Sequence, residues 1–359
     1  MKIRKIIFKD YEKIKKLINR NNNFIPALSQ WSSIWTKNTN FRQNKPDGEV
    51  LCNRERIVGF HSTLYKKSVL KNKEYKISIS SNWVVDKKYR KYSLLLLNRF
   101  FQKKSDIYLT TTANSEVAKI WESFGASYIQ PENTRKVYYK IFNSNKFISA
   151  YFKKKKFNYL ILLFTFVFAF FLKILNKRRF VVKNSNTIKI QSMTEQTSYL
   201  NTFNHTYEKN LKVPSEKRGG SSLFWNLNII KNGKNIHLQK ILYNRMQIGY
   251  LVIVGKKEKK INLNRAYLAE IRIEKKYYKF INSILNEISI YAKKQKYDLL
   301  EFRNLNNHVY KKMNKDNFFL REYSHSPYLI RFNKKFSKKF INNYKKKFEI
   351  SYLDGDCLF

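Results

Sequence analysis

The side chains able to do chemistry in this sequence are few and scattered. The five histidines stand apart from one another, and a lone histidine is more often a satisfied structural residue than a ligand. Cys52 and Cys357 are far apart and in no metal-ligand spacing, which argues against a disulfide framework and a zinc site and fits a reducing compartment. No Ser/His/Asp set and no glycine-rich nucleotide loop is visible. Two stretches remain. One is the basic run Lys87-Lys88-Tyr89-Arg90-Lys91-Tyr92-Ser93, set between a strand ending at Val84-Val85 and an apolar helix. Ser93 can cap that helix and bond a phosphate; alternatively Arg90 and Lys91 are only a solvated turn. The other is Glu270 on the strand Ala266–Ile273, with Arg272 two positions on as a ready partner.

Elements must position these groups, and composition says how many there can be. A chain of 359 residues accommodates two domains, each with its own core. Hydrophobic residues at 43% exclude a disordered chain, and 9 Gly with 5 Pro exclude a turn-rich β-sandwich. The formal charge of +48 attracts polyanions such as membrane phosphates, nucleic acid or a phosphorylated cofactor. The plain alternative is a low-GC coding bias, since the lysines are spread along the chain rather than gathered in one nucleic-acid arm.

Periodicity supplies the elements. Tyr11, Ile14, Leu17 and Ile18 mark an amphipathic helix after Asp10, and Ser93–Phe101, Ser115–Phe124 and Tyr278–Ala292 read as further helices. Strands are expected at Ile57–Leu64, Tyr75–Val85, Asp106–Thr112 and Val137–Ile141, then at Ile236–Tyr243, Gln247–Val254, Ala266–Ile273 and Asp298–Phe302. The two series align. Arg56–Phe60 answers Met246–Tyr250, Trp83–Tyr89 answers Arg272–Tyr278 with a Lys-Lys-Tyr in each, and Asp106–Leu109 answers Asp298–Glu301. Three matches in one order indicate a duplicated unit.

Between the halves, Phe157–Leu172 carries no charge and is apolar all round. At about 1.5 Å per residue it is short of a hydrocarbon core of about 30 Å. Its flanks, Lys153–Lys156 and Lys173 with Lys177–Arg179, are basic on both sides. A hydropathy profile alone reads it as a transmembrane helix, and a helix buried between halves is the third reading. Symmetric positive flanks fit insertion from one face, leaving the chain on the cytoplasmic side of the cell membrane through residues 157–175. The expected organisation is therefore a first domain at 1–145, a basic-flanked linker helix at 146–185, a second domain at 186–340 and a basic tail at 341–359.

The order strand, helix, helix, strands, then strand–turn–helix and strand–helix–strand resembles the GNAT superfamily of acyl-CoA N-acyltransferases. The stretch Val84-Val85-Asp86-Lys87-Lys88-Tyr89-Arg90-Lys91-Tyr92-Ser93 is similar to that family's cofactor turn, with Ser93 and Leu95 standing where it has glycines. Asn114-Ser115-Glu116-Val117-Ala118-Lys119-Ile120-Trp121-Glu122-Ser123-Phe124-Gly125 resembles its second signature, with Trp121 in the place of a tyrosine. A looser copy runs from Asn306 to Phe319, with Tyr310 at the tyrosine position. The resemblance implies two tandem α/β domains, each a mixed, mostly antiparallel sheet flanked by helices.

The same resemblance implies acyl-CoA bound by Val84, Val85, Arg90, Lys91, Tyr92, Ser93 and Asn114. It assigns Glu270 as general base for an amine and Tyr310 as the acid that protonates the leaving thiolate. The expected activity is N-acylation of a small amine, such as an amino sugar of an envelope precursor, with acetyl-CoA or another acyl-CoA as substrate, no metal and no DNA partner. Two alternatives share the fold: a Fem-like transferase taking its acyl group from tRNA, and an inactive membrane-bound relative.

Overall fold

A computed structural model of the chain describes residues 1–21, 25, 27–39, 41, 43–70, 73–129, 131–155, 165–179, 187–193, 197–210, 214–230, 234–303, 307–324, 326, 328–349, 351 and 353. They form two units, and the chain passes between them repeatedly. Met1–Pro131 belongs to the first unit and Glu132–Gln196 to the second; Thr197–Asn232 returns to the first, Gly233–Ser324 to the second, and His325–Phe359 to the first again.

The opening segment lays down β1 (Lys2–Lys5), α1 (Tyr11–Arg20), α2 (Leu28–Thr36), β2 (Gly48–Asn53), β3 (Arg56–Leu70) and β4 (Lys73–Val85). It continues with α3 (Ser93–Phe101), β5 (Ile107–Thr110), α4 (Ser115–Ser123) and β6 (Ser127–Tyr128). Next come β7 (Lys136–Ile141), α5 (Ser144–Lys155), α6 (Thr165–Arg179) and β8 (Ile188–Ser192), then α7 (Thr197–Asn210), β9 (Ser215–Glu216) and α8 (Gly220–Ile230). The rest is β10 (Asn235–Tyr243), β11 (Met246–Glu258), β12 (Leu263–Ile273), α9 (Ile281–Lys294), β13 (Leu299–Phe302), α10 (Asn307–Lys312), β14 (Phe319–Glu322), β15 (Leu329–Phe332) and α11 (Lys338–Lys347).

Among the described residues the first sheet runs β1-β2-β3-β4-β5-β15-β6, with β9 on β3, and the second runs β14-β7-β13-β12-β11-β10-β8. Both are mostly antiparallel. Each contains one parallel pair, β4 with β5 and β12 with β13. The strand beyond that pair comes in each case from the other half of the sequence: β15 pairs β5, and β7 pairs β13. This revises the sequence-contiguous division at 145 and 186. An antiparallel strand of alternating residues fits either sheet, so local pattern could not assign β7 or β15. The basic tail expected at 341–359 is also partly structure, because Tyr344 and Phe348 are buried in the first unit's core.

Local chemistry repeats between the units. The β2–β3 hairpin turns at Arg54, at φ 53°, and the β10–β11 hairpin turns at Asn244 and Arg245, at φ 46° and 68°. Each is a two-residue loop closed by the pairs Asn53↔Arg56 and Tyr243↔Met246. Each has a register shift immediately inside the turn, at Leu51/Cys52 and Ile241/Leu242. Gly249 is needed where it stands, since a Cβ there would lie 2.2 Å from the Arg272 carbonyl oxygen.

The first core packs Ile14, Leu17, Trp31 and Trp35 of α1 and α2 on Phe60, Ile77 and Ile79 of the sheet, and takes in Trp225, Ile330 and Phe332 from later segments. The second packs Ile281, Ile284, Leu285 and Ile288 of α9 on Ile248, Leu251, Ile253 and Leu268.

Candidate functional site

Each sheet opens at its parallel pair. In the first, β4 stays paired with β5 only through Ile77↔Ile107, Ser78↔Tyr108 and Ile79↔Leu109, although β4 runs on to Val85. In the second, β12 pairs β13 from Arg265↔Leu299 to Leu268↔Phe302 and runs on to Ile273. A bulge follows each last pair on the longer strand. Asn82 and Trp83 lie between the pairs Ser81↔Ser62 and Val84↔Phe60, and Ala269 lies between Leu268↔Ile253 and Glu270↔Val252. Asn82 takes φ 52° to make its bulge. Bulges twist and re-aim a strand, so they account for the parting of the two neighbours.

A 3₁₀ turn and a helix follow each open strand. Lys87–Tyr92 leads into α3, and Lys275–Phe280 into α9. Equivalent hydrogen bonds fasten both turns: Asp86 N to Val58 O at 2.9 Å and Tyr89 N to Asp86 O at 2.8 Å, against Glu274 N to Ile248 O at 3.1 Å and Tyr277 N to Glu274 O at 2.9 Å. The Asp86 carboxylate also receives Arg20 Nη2 at 2.6 Å and Asn21 Nδ2 at 2.9 Å. Burial would raise its pKa, but those bonds outweigh burial and hold it low.

The sequence-expected residues fall as follows. Val84 and Val85 are buried at the end of β4. Arg90 and Lys91 are exposed on the turn, and Tyr92 and Ser93 are half-buried where α3 begins. Leu94 and Leu95, in the first turn of α3, are also exposed. The mouth of the first opening is therefore cationic and apolar at once. Asn114 caps α4, its Oδ1 accepting from Val117 N at 2.8 Å. Trp121 and Ala118 pack in the core beneath α3.

The second opening is bridged. Tyr278 of the turn stacks on His308 of α10, ring centroids 5.3 Å apart at 15°. Asn282 of α9 donates to Lys312 O at 3.1 Å and accepts from Asn314 N at 2.7 Å. Glu270 is buried in the open part of β12 and accepts from Arg272 Nε at 2.9 Å. Tyr310 lies on α10 with its ring 6.0 Å from that of Tyr138 and Lys315 Nζ 4.4 Å over it. Burial, and then the bond with Tyr310, push the Tyr138 phenol up. Asn306 lies outside the described residues.

Apart from Trp121, the next groups were not singled out by sequence. The indole Nε1 atoms of Trp83 and Trp121 are buried donors with no hydrogen-bond partner among the described residues. Trp83 sits on the β4 bulge and Trp121 on α4, in the same core cluster. Lys140, on β7, is buried, with Nζ 5.1 Å from the Phe318 ring centroid, and burial pushes its pKa down to about 8. A cavity of about 510 Å³ in the second unit is walled by Tyr139, Phe147, Ala150, Leu263 and Leu299, with Arg321 and Tyr323 among its polar groups. No spacing rule ties these positions together, because packing alone joins them.

Ser80, the first β4 residue past the paired stretch, meets His61 Nε2 at 2.7 Å, and His61 Nδ1 faces the Leu96 carbonyl at 3.5 Å. A carbonyl occupies the place of the carboxylate in a catalytic triad, so the pair reads as a buried structural contact. Burial pushes the His61 pKa down to about 3. The unfolded chain then takes up a proton below about pH 6.5 that the folded chain refuses, so this contribution is complete above pH 6.5 and is lost as pH falls toward 3. Stability is expected to fall by up to about 1.4 kcal/mol per pH unit from this group. Urea unfolding at pH 7.5, 6 and 5 should show a shallower acid loss in His61→Leu than in the wild type; equal slopes would remove His61 as the cause.

No family model and no curated protein matches the chain in sequence. Solved structures do match in fold. A GCN5-related N-acetyltransferase from Anabaena variabilis aligns with TM-score 0.56 and 7% identity, covering 92% of this chain and 72% of that one. A probable N-acyltransferase from Enterococcus faecalis gives TM-score 0.59 and 8% identity, with the same two coverages of 92% and 72%. Saccharomyces cerevisiae N-myristoyltransferase with bound myristoyl-CoA gives TM-score 0.54 and 11% identity, covering 99% of this chain and 83% of that one. The fold is that of the GNAT superfamily, with two GNAT-like units in one chain.

Proposed function

We propose that this chain is an acyl-CoA-dependent N-acyltransferase acting on an amine, such as an amino sugar of a surface polysaccharide or cell-envelope precursor. The observation that carries this reading is the first unit's open, cationic mouth at the parting of β4 and β5. Phosphates of the donor rest at the start of α3 against Arg90, Lys91 and Ser93, where helix N–H groups favour an anion. The pantetheine arm runs along the freed edge of β4. The Trp83 N–H, on the β4 bulge, supplies a donor for a carbonyl oxygen, the polarisation that acyl transfer needs. In the second unit, Glu270, held at 2.9 Å by Arg272, and Tyr310, beside Tyr138, are the candidate base and acid.

Two observations favour a second reading, a Fem-like transfer from aminoacyl-tRNA. Ser93 and Leu95 stand where acyl-CoA enzymes of this fold have glycines, and the formal charge is +48.

Isothermal titration of the full chain with acetyl-CoA separates them. A saturable isotherm is expected, and Arg90→Ala/Lys91→Ala should raise Kd by roughly tenfold, about 1.4 kcal/mol. No heat at millimolar acetyl-CoA overturns the first reading. Salt-sensitive tRNA binding together with that silence supports the second.

A further inference from the structure

We propose that α6 is an in-plane anchor that seats this protein on an anionic lipid surface. The helix Thr165–Arg179 touches its own unit by a narrow seam. Thr165 and Ala169 are buried and Leu172 is half-buried, positions spaced i, i+4 and i+7 along one stripe. Leu172 packs on the cluster of Ile141, Ala150, Leu263 and Leu299, and Phe168 meets Phe152 of α5 with ring centroids 6.0 Å apart.

Among the described residues, the apolar side chains around the rest of the helix are exposed. Phe166 is 76% exposed, Phe170 62% and Phe171 60%, and Val167, Phe168, Ile174 and Leu175 are exposed as well. At about 100° per residue these seven side chains sweep an arc of roughly 200° around the helix. An exposed apolar patch of that kind marks an interface in a folded protein.

Charge identifies the occupant. From Asn133 to Thr194 the sequence holds lysines and arginines but no acidic residue. Lys153 and Lys173 are exposed beside the phenylalanines, and Lys177, Arg178 and Arg179 follow at the helix end. A second copy of the chain would bring these like charges face to face on top of +48. Anionic headgroups neutralise them while the phenyl rings enter the acyl boundary, the two-part recognition of an interfacial helix. Among the described residues no helix is long and apolar enough to cross a membrane; residues 157–164 of the apolar run lie outside the described residues. Basic residues flank the run on both sides, at Lys153–Lys156 and at Lys173 with Lys177–Arg179, which favours a helix lying along one anionic face.

Flotation of the full chain with vesicles of phosphatidylcholine alone, or mixed equally with phosphatidylglycerol, tests this. Wild type is expected to float with the anionic vesicles and less at high salt, and Phe170→Ser/Phe171→Ser should lower the partition coefficient at least tenfold with an unchanged circular dichroism spectrum. Equal flotation of the double variant overturns the proposal. So does a wild-type dimer in light scattering that the variant converts to monomer, with no vesicle binding by either. The reading is independent of acyl-CoA binding, and either can fail alone.

Discussion

Residues 1–145, produced alone, are expected not to fold cooperatively, despite holding nearly all of one sequence-contiguous repeat. The fragment lacks β15, so the outer edge of β5 loses its partner at Leu329–Phe332. It also lacks Trp225, Ile229, Ile330, Phe332, Tyr344 and Phe348, which are buried in the first unit's core. Six such side chains, at about 1.5–3 kcal/mol each, come to roughly 9–18 kcal/mol, as large as the about 5–15 kcal/mol that holds a domain folded. It retains β7, moreover, whose partners β13 and β14 are missing. An unpaired edge and an orphan strand are aggregation templates. Near-ultraviolet circular dichroism, dye binding and urea titration on fragment and full chain would check this. A sigmoidal unfolding transition in the fragment would show that the exchanged strands are dispensable.

The second large effect is in a buried ionic cluster of the first unit. Lys66 on β3, Glu216 on β9 and Arg218 are almost fully buried. Lys66 Nζ lies 3.1 Å from Glu216 and donates to Leu353 O at 3.0 Å, while Arg218 pairs with Glu216. Arg218 N donates to Glu208 at 2.6 Å, and its guanidinium reaches Ser351 at 3.2 Å. The cluster thus ties β3, α7 and the last described residues of the chain together. Glu216→Ala leaves two cations without their carboxylate where water cannot solvate them, and the expected loss is about 3–5 kcal/mol. Chemical denaturation of the variant measures it. Because the cost is that of stranding charges, Lys66→Met with Glu216→Leu should lose less than Glu216→Ala alone. If the double change loses more, packing rather than charge governs the cluster.

Much of the local structure was legible because short-range physics set it. The apolar stripe Tyr11, Ile14, Leu17, Ile18 gives α1, and all four residues are buried. The matching Lys-Lys-Tyr segments became matching 3₁₀ turns at the two sheet openings. The pairing of Glu270 with Arg272 follows from two side chains on one face of a strand. The partly buried α11 was missed because its five lysines and two asparagines hide a stripe at Phe340, Tyr344 and Phe348, visible only once a core exists to receive it. The destinations of β7 and β15, the bridge from Tyr278 to His308 and the cluster around Glu216 were beyond reach for one reason. Each joins residues far apart in sequence whose meeting depends on which sheet a strand enters.

By itself, then, the sequence determined the repeated elements, their turns, the charge and the uncharged stretch between basic flanks, all of which depend on neighbours within a few residues. Only the tertiary structure decided which half supplies each sheet's outer strand, which opening stays unbridged and which face of α6 meets solvent. Those outcomes come from packing and desolvation over the whole chain, where a strand's energy depends on the partner it finds as much as on its own residues.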